Sequence, residues 1–380
     1  MLASVLLDCC HESGITFFTG VPDSFLKGLC DELYCRFGTD SPCHVVAHNE
    51  GGAVGLCAGH YIATGKPALC YMQNSGLGNA VNPLTSLTDS KVYGIPCLLI
   101  IGWRGEPGTR DEPQHVTQGR ITPEQLDLLD IPYRILSPDT DEKEFRSHFS
   151  FLKSILDEGR PAALVVRKGA LSSSEHPVYG NSYAMSREKA AEIILSFTGQ
   201  DDLIVSTTGK LSREIFEIRE KAGQPHFRDF LTVGSMGHAA MIALGLSEQL
   251  TGRRVWCLDG DGAVMMHLGS LALIGRRFPA GLVHVVINNG AHETVGGMPV
   301  CSGALNLQGI ARAAGYSSVL SADSESSLSE ILSSMPALTG PVFLEVKCAC
   351  GARSDLGRPT IAPRDNLKAM MEYITKSSQF

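Results

Sequence analysis

Asp261 stands between Gly260 and Gly262, directly after an apolar run, and 25 residues separate that GDG triplet from the pair Asn288 and Asn289. A carboxylate, a carboxamide oxygen and a backbone carbonyl just beyond the second asparagine are hard oxygen ligands. They suit Mg²⁺, whose remaining positions are commonly filled by phosphate and water. A helix opening near Ala263 would aim free N–H groups at the same phosphates. The plainer reading of GDG is a tight turn whose aspartate caps a helix, and NN alone is an ordinary turn. What lies between the two motifs favours the joint reading.

VWCLDG and LVHVVINN read as buried strands, and the intervening MMHLGSLALIGRRF places Met265, Leu268, Leu271, Ala272 and Ile274 on one helix face. A right-handed strand-helix-strand crossover brings both strand ends to one edge of a parallel sheet, which is where open α/β sheets bind ligands. The same rhythm runs along the whole chain. ITFFTG, HVVAH, ALCYMQ, CLLIIGW and AALVVRK are strand-like in the first half, LIVSTTG and VFLEVKC in the second. The fold expected is α/β, with two doubly wound parallel-sheet domains over 1–170 and 187–380. The serine-, proline- and glycine-rich stretch 171–186 is read as the linker between them.

A formal charge of -8 over 380 residues argues against nucleic acid or an anionic membrane as partner. No apolar stretch approaches the ~20 residues of a membrane span. The twelve cysteines are scattered, without a CxxC pair or zinc spacing, and the amino terminus lacks a basic export signal. Reduced thiols and a cytoplasmic location are expected.

GDG followed by NN at this spacing resembles the signature of thiamine-diphosphate (ThDP) enzymes. The resemblance implies Mg²⁺ held by Asp261, Asn289 and the carbonyl of Ala291, with Gly260, Gly262 and Ala263 beside the diphosphate. It also implies a glutamate that drives proton traffic at the aminopyrimidine of the cofactor. HNEGGAVGLCAGHYIATGK, 48–66, resembles that segment and offers Glu50; a first-turn glutamate stabilised by the helix dipole is the bland alternative. FLTVGSMGHAA, 230–240, resembles the stretch that bends the cofactor, with Met236 as wedge and the Gly234 carbonyl as acceptor; a core methionine is the alternative. STTGKLSRE, 206–214, offers Thr208 and Gly209 to the diphosphate, or a helix cap.

Four further segments narrow the resemblance: GVPDSFLKGL, MQNSGLGNAVNPLTSL, GWRGEPGTRDEPQHVTQGRIT and NNGAHETVGG. They are similar to the phosphonopyruvate decarboxylase family, with sulfopyruvate decarboxylase its near relative, and that family has no middle domain. The implied reaction is decarboxylation of 3-phosphonopyruvate to phosphonoacetaldehyde in phosphonate biosynthesis. A trianionic substrate calls for cationic groups, and Arg104, Arg110, His115, Lys210 and Arg213 are candidates, with Asp23 and Ser24 beside them. Each cation also reads as an exposed surface charge. Glu106, Asp111 and Glu112 show that the loop is no simple basic patch. His115 is the first candidate proton donor, His292 its rival and His238 a weaker one; Gln114 replaces the first histidine of a pair used elsewhere in the superfamily. Met298 stands where a polar residue is expected. A homodimer or higher homo-oligomer, with the cofactor between subunits, is implied. Three alternatives remain: a sulfopyruvate or broader 2-oxo-acid decarboxylase, a magnesium-dependent nucleotide phosphotransferase, and a non-catalytic cofactor-binding subunit.

Overall fold

Six apolar segments of the first half pair edge to edge as a parallel sheet in the computed structural model, which describes residues 1–300 and 305–377. The strands are β1 (Phe18–Gly20), β2 (His44–Val46), β3 (Ala68–Gln73), β4 (Cys97–Gly102), β5 (Tyr133–Leu136) and β6 (Ala162–Val166). Their order is β2-β1-β3-β4-β6-β5. A second parallel sheet holds β7 (Leu203–Ser206), β8 (Asp229–Leu231), β9 (Val255–Gly260), β10 (Leu282–Asn288), β11 (Ser318–Ala322) and β12 (Val342–Lys347). Its order is β11-β12-β10-β9-β7-β8. The chain divides into two compact units, Met1–Val178 and Tyr179–Phe380, each built on one sheet.

Central strands are buried on both faces, so they read as continuous apolar runs rather than alternating ones. β4, CLLIIG, is buried at every position. In the second unit one face of the sheet packs Ile204, Trp256, Val283 and Leu344 against the helices Arg187–Phe197, Lys210–Lys221 and Glu325–Ser334. The other face packs Val205, Cys257, Val286 and Phe343 against Ala239–Gln249, Gly269–Arg277 and Leu307–Ala314. Helices on both faces of a parallel sheet make the doubly wound architecture expected from the sequence.

Two expectations about elements change. Strands β5, β8 and β11 escape the sequence reading because all three are sheet edges with mostly half-buried residues, so YRIL, DFL and SVLSA carry no continuous apolar run. The single helix expected after GDG is two helices, Asp261–Met266 and Gly269–Arg277, separated at His267, whose φ of -135° and ψ of 54° are not helical. Among the described residues, no helix is long and apolar enough to cross a membrane.

Candidate functional site

The candidate residues fall into two groups, one in each unit, and both sit at the carboxyl ends of parallel strands. In the first unit the chain leaves β2 and enters the helix Glu50–Thr64, whose Asn49 side chain accepts the Gly52 amide at 2.7 Å as an N-cap. The cap fixes the first turn, and with it Glu50, which is buried. Asn79, in the helix Leu77–Pro83 beyond β3, donates to Oε2 of Glu50 at 2.7 Å. A β-carbon on Gly76 would lie 2.5 Å from the Glu50 side chain, so this carboxylate occupies space that only a glycine leaves.

A second cluster of the same unit gathers at the ends of β1, β3 and β4. Asp23 is fully buried and accepts from Gln73 and from the Phe25 amide. Burial pushes its carboxyl up, against those hydrogen bonds. Arg104 donates to both oxygens of Asp111 and through Nη1 to Ser24 Oγ at 3.1 Å. Burial opposes the charge on Asp111, but this fork and two backbone amides hold it well below the usual carboxylate range. Arg104 is therefore committed to its own loop, with its guanidinium also 4.9 Å from the Phe25 ring. Arg110 is exposed. His115 is buried near the start of the helix Pro113–Leu128, and its Nδ1 has no hydrogen-bond partner among the described residues. Burial, reinforced by Arg104, pushes its pKa down, so it is a neutral imidazole at neutral pH.

In the second unit four loops converge. Thr208 Oγ1 accepts the amide of Gly234 at 3.0 Å, joining the end of β7 to the loop beyond β8. Gly209, with φ of 104°, opens the helix Lys210–Lys221, and a β-carbon there would lie 2.7 Å from Thr294 Oγ1. A β-carbon on Gly262 would lie 3.5 Å from the His292 ring and 3.6 Å from Met236 Cε. Gly262, Met236 and His292 thus face one space. Lys210 Nζ lies 3.1 Å from Glu293 Oε1. Burial opposes the ionised Glu293, yet the Gly351 amide at 2.7 Å and Lys210 hold it below the usual range. Burial lowers His292 to about 4. His238 is exposed, and Met298 is buried while its carbonyl accepts the His292 amide at 2.8 Å.

Parallel pairing sets Gly260 opposite Ile287, which delivers Asp261 to the level of the loop beyond β10. Asp261 Oδ2 accepts the Gly290 amide at 3.0 Å. Asn289 Oδ1, on the same loop, accepts the Ala291 amide at 3.1 Å. A buried carboxylate, a carboxamide oxygen and the nearby Ala291 carbonyl form a donor set of hard oxygens, which fits Mg²⁺ in the presence of a diphosphate. Several partners of this loop carry no signal in the sequence. Asn181 Nδ2 donates to the Asn289 carbonyl at 2.8 Å, Cys350 Sγ donates to the same carbonyl at 3.1 Å, and Glu293 accepts from Asn289 Nδ2 at 3.4 Å.

Residues 1–128 match the thiamine pyrophosphate enzyme, N-terminal TPP binding domain, and residues 207–346 match the thiamine pyrophosphate enzyme, C-terminal TPP binding domain. The chain is 34% identical to a phosphonopyruvate decarboxylase of Streptomyces viridochromogenes over 95% of its own length and 92% of the relative's. It is 33% identical to one of Streptomyces hygroscopicus, over 96% and 91%. Its identity to a sulfopyruvate decarboxylase of Methanosarcina acetivorans is 25%, over 90% and 89%.

Proposed function

Because the chain belongs to the family of the phosphonopyruvate decarboxylases, ThDP-dependent decarboxylases built from the two TPP binding domains, we propose that its own substrate is 3-phosphonopyruvate, converted to phosphonoacetaldehyde and CO₂. The observation that carries this reading is likeness over nearly the whole chain, 34% to a phosphonopyruvate decarboxylase against 25% to a sulfopyruvate decarboxylase of similar coverage. When bound, ThDP would supply a nucleophilic carbon and an electron sink for the loss of CO₂.

The chain's own residues bind, orient and move protons. Asp261, Asn289 and the Ala291 carbonyl would hold Mg²⁺, while Thr208, Gly209 and the Gly260–Ala263 turn would receive the diphosphate. Met236, from its place near Gly262, would pack against the cofactor. Glu50, held by Asn79, exchanges a proton with N1′ of the aminopyrimidine. His115 and His292 are the two candidate proton donors, and burial lowers the pKa of both. Arg104, with Ser24 and Asp23 beside it, orders the segment that meets the substrate anion, and Lys210 adds a positive charge. The enzyme acts in the cytoplasm as a homo-oligomer with the cofactor between subunits, and serves phosphonate biosynthesis.

Purified protein with Mg²⁺ and ThDP should release CO₂ from phosphonopyruvate with a kcat/KM far above that for sulfopyruvate or pyruvate. Equal values would remove the specific substrate and leave a broader 2-oxo-acid decarboxylase.

A further inference from the structure

Beneath the Gly260–Asp261 turn, the sheet of the second unit buries a polar chain where close packing alone would favour apolar side chains. Asp259, at the end of β9, is 1% exposed and His284, on β10, is 0% exposed. Asp259 Oδ1 accepts the amide of Gly260 at 2.9 Å. Its Oδ2 lies 3.5 Å from His284 Nε2, and among the described residues neither atom has another hydrogen-bond partner. His284 Nδ1 lies 2.9 Å from the Tyr316 hydroxyl. An acceptor oxygen must face a donor, so Nε2 carries the ring proton and Nδ1 accepts from Tyr316. Tyr316 and His284 both pack against Phe343, with ring centroids 5.6 and 5.7 Å away, which locks the imidazole plane.

A buried polar chain of this kind contributes little net stability compared with apolar residues of the same volume, because the desolvation of the carboxylate and its partners offsets their hydrogen bonds. Its geometric effect is specific. One carboxylate oxygen holds the peptide N–H of Gly260, the residue immediately before Asp261, and the other is oriented through His284 by Tyr316. We propose that Asp259 is a positioning residue for the metal loop, and that the Asp259–His284–Tyr316 chain sets the direction in which Asp261 leaves the sheet. The neighbouring strand works in the same way. Glu345, on β12, accepts from Asn288 Nδ2 at 2.8 Å, and Asn288 Oδ1 accepts the Gly290 amide at 3.1 Å. Register puts both carboxylates in one row, since Val286 pairs with Asp259 on one side and with Glu345 on the other.

This inference rests on the reading of Asp261 as a Mg²⁺ ligand, and one experiment separates the two. Mg²⁺ is titrated calorimetrically into full-length protein with saturating ThDP, for the wild type and for Asp259→Asn, Tyr316→Phe and Asp261→Ala. An amide at 259 offers one acceptor oxygen for two donors, so either the Gly260 amide or His284 loses its partner. Removing such outer partners of a metal site costs about 10–100-fold in metal affinity. Asp259→Asn should therefore raise the Mg²⁺ Kd by about tenfold or more, with kcat recovering at saturating Mg²⁺. Tyr316→Phe should shift it in the same direction by less. A lowered melting temperature with unchanged Mg²⁺ Kd would make the chain merely structural and overturn the proposal. If Asp259→Asn does not fold, an unchanged Kd in Tyr316→Phe overturns it alone. Asp261→Ala with normal Mg²⁺ binding would instead sink the ligand reading. Cys257, Asp259 and His284 place ligand atoms within 4.8 Å of one another. A second tightly held divalent ion, lost in Asp259→Asn, would replace the positioning role with a metal site.

Discussion

Asn79 donates its side-chain amide to Oε2 of Glu50 at 2.7 Å, across 29 positions of sequence, while Gly76 leaves the room that the carboxylate occupies. The carboxylate proposed to exchange protons with the cofactor is thus fixed by two residues of the segment after β3. Glu50→Gln preserves the shape and the Asn79 contact but removes the proton exchange. ThDP binding measured by calorimetry should persist while kcat falls by orders of magnitude, and an unchanged kcat would remove Glu50 from the mechanism. Gly76→Ala acts on the same group indirectly, because its β-carbon would displace the Glu50 side chain from 2.5 Å. Turnover should fall about tenfold or more, as expected for a small misplacement of a catalytic group.

Asp261 offers the one carboxylate among the three proposed Mg²⁺ ligands. Asp261→Ala should therefore abolish the rise in melting temperature that Mg²⁺ and ThDP together give the wild type, while the protein without cofactor still unfolds cooperatively. A retained ligand-induced shift would show that the metal is held elsewhere.

Acid should weaken the fold through its buried histidines. His44 is fully buried, with one ring nitrogen on the Gly38 carbonyl and the other 2.9 Å from the Tyr71 hydroxyl, and burial pushes its pKa below 6.5. His115 moves the same way, through burial and then Arg104. For a histidine whose folded pKa is depressed, the unfolded chain binds the proton first as pH falls. The stability contributed by the neutral ring is thus complete above about 6.5 and is lost as pH drops from there toward the folded pKa. The melting temperature should fall between pH 7 and pH 5, and His115→Gln should make that fall shallower. An identical slope would show that His115 titrates normally.

How far the sequence displays this molecule depends on where each element lies in its sheet. Central strands such as β4 and β10 are buried on both faces, so apolar residues dominate them, His284 and Asn288 of β10 apart, and the run is plain to read. β8 and β11 lie at opposite edges of the second sheet, where Asp229, buried against Arg219, and the half-exposed Ser318 blur the pattern. The site divides on similar lines. Asp261 and Asn289 carry a spacing that can be read, because one crossover unit dictates it. Asn79, Asn181, Glu293 and Cys350 meet their partners only through the fold, and nothing in their local sequence distinguishes them from ordinary turn or helix residues. Arg104 was legible as a cation, but its engagement by Asp111 was not, since six intervening positions of irregular loop set no fixed geometry.

The loop after β4 is clamped to the helix Pro113–Leu128, and the clamp depends on Gly119. Trp103 Nε1 donates to the Gly119 carbonyl at 2.8 Å, and a β-carbon at 119 would lie 1.8 Å from the Gly105 carbonyl oxygen. That atom is backbone, so the loop itself must move. Gly119→Ala should destabilise by about 1–3 kcal/mol, as overpacking does, and denaturant unfolding would measure it. A loss well under that range would show that the loop shifts freely.

The same loop decides whether Arg104 belongs to substrate recognition. Its guanidinium spans both oxygens of Asp111 and reaches Ser24, a planar fork that a lysine ammonium cannot reproduce. Arg104→Lys keeps the charge and removes the geometry. If Arg104 orders the segment that meets the substrate anion, KM for phosphonopyruvate should rise about tenfold, equivalent to about 1.4 kcal/mol, with kcat nearly unchanged. A fall in stability with KM unaltered would place Arg104 in the architecture of the loop alone. Asp111→Asn is the matching control: it frees the guanidinium from its charged partner, so the two variants should raise KM by similar factors if orientation, rather than charge, is what the substrate requires.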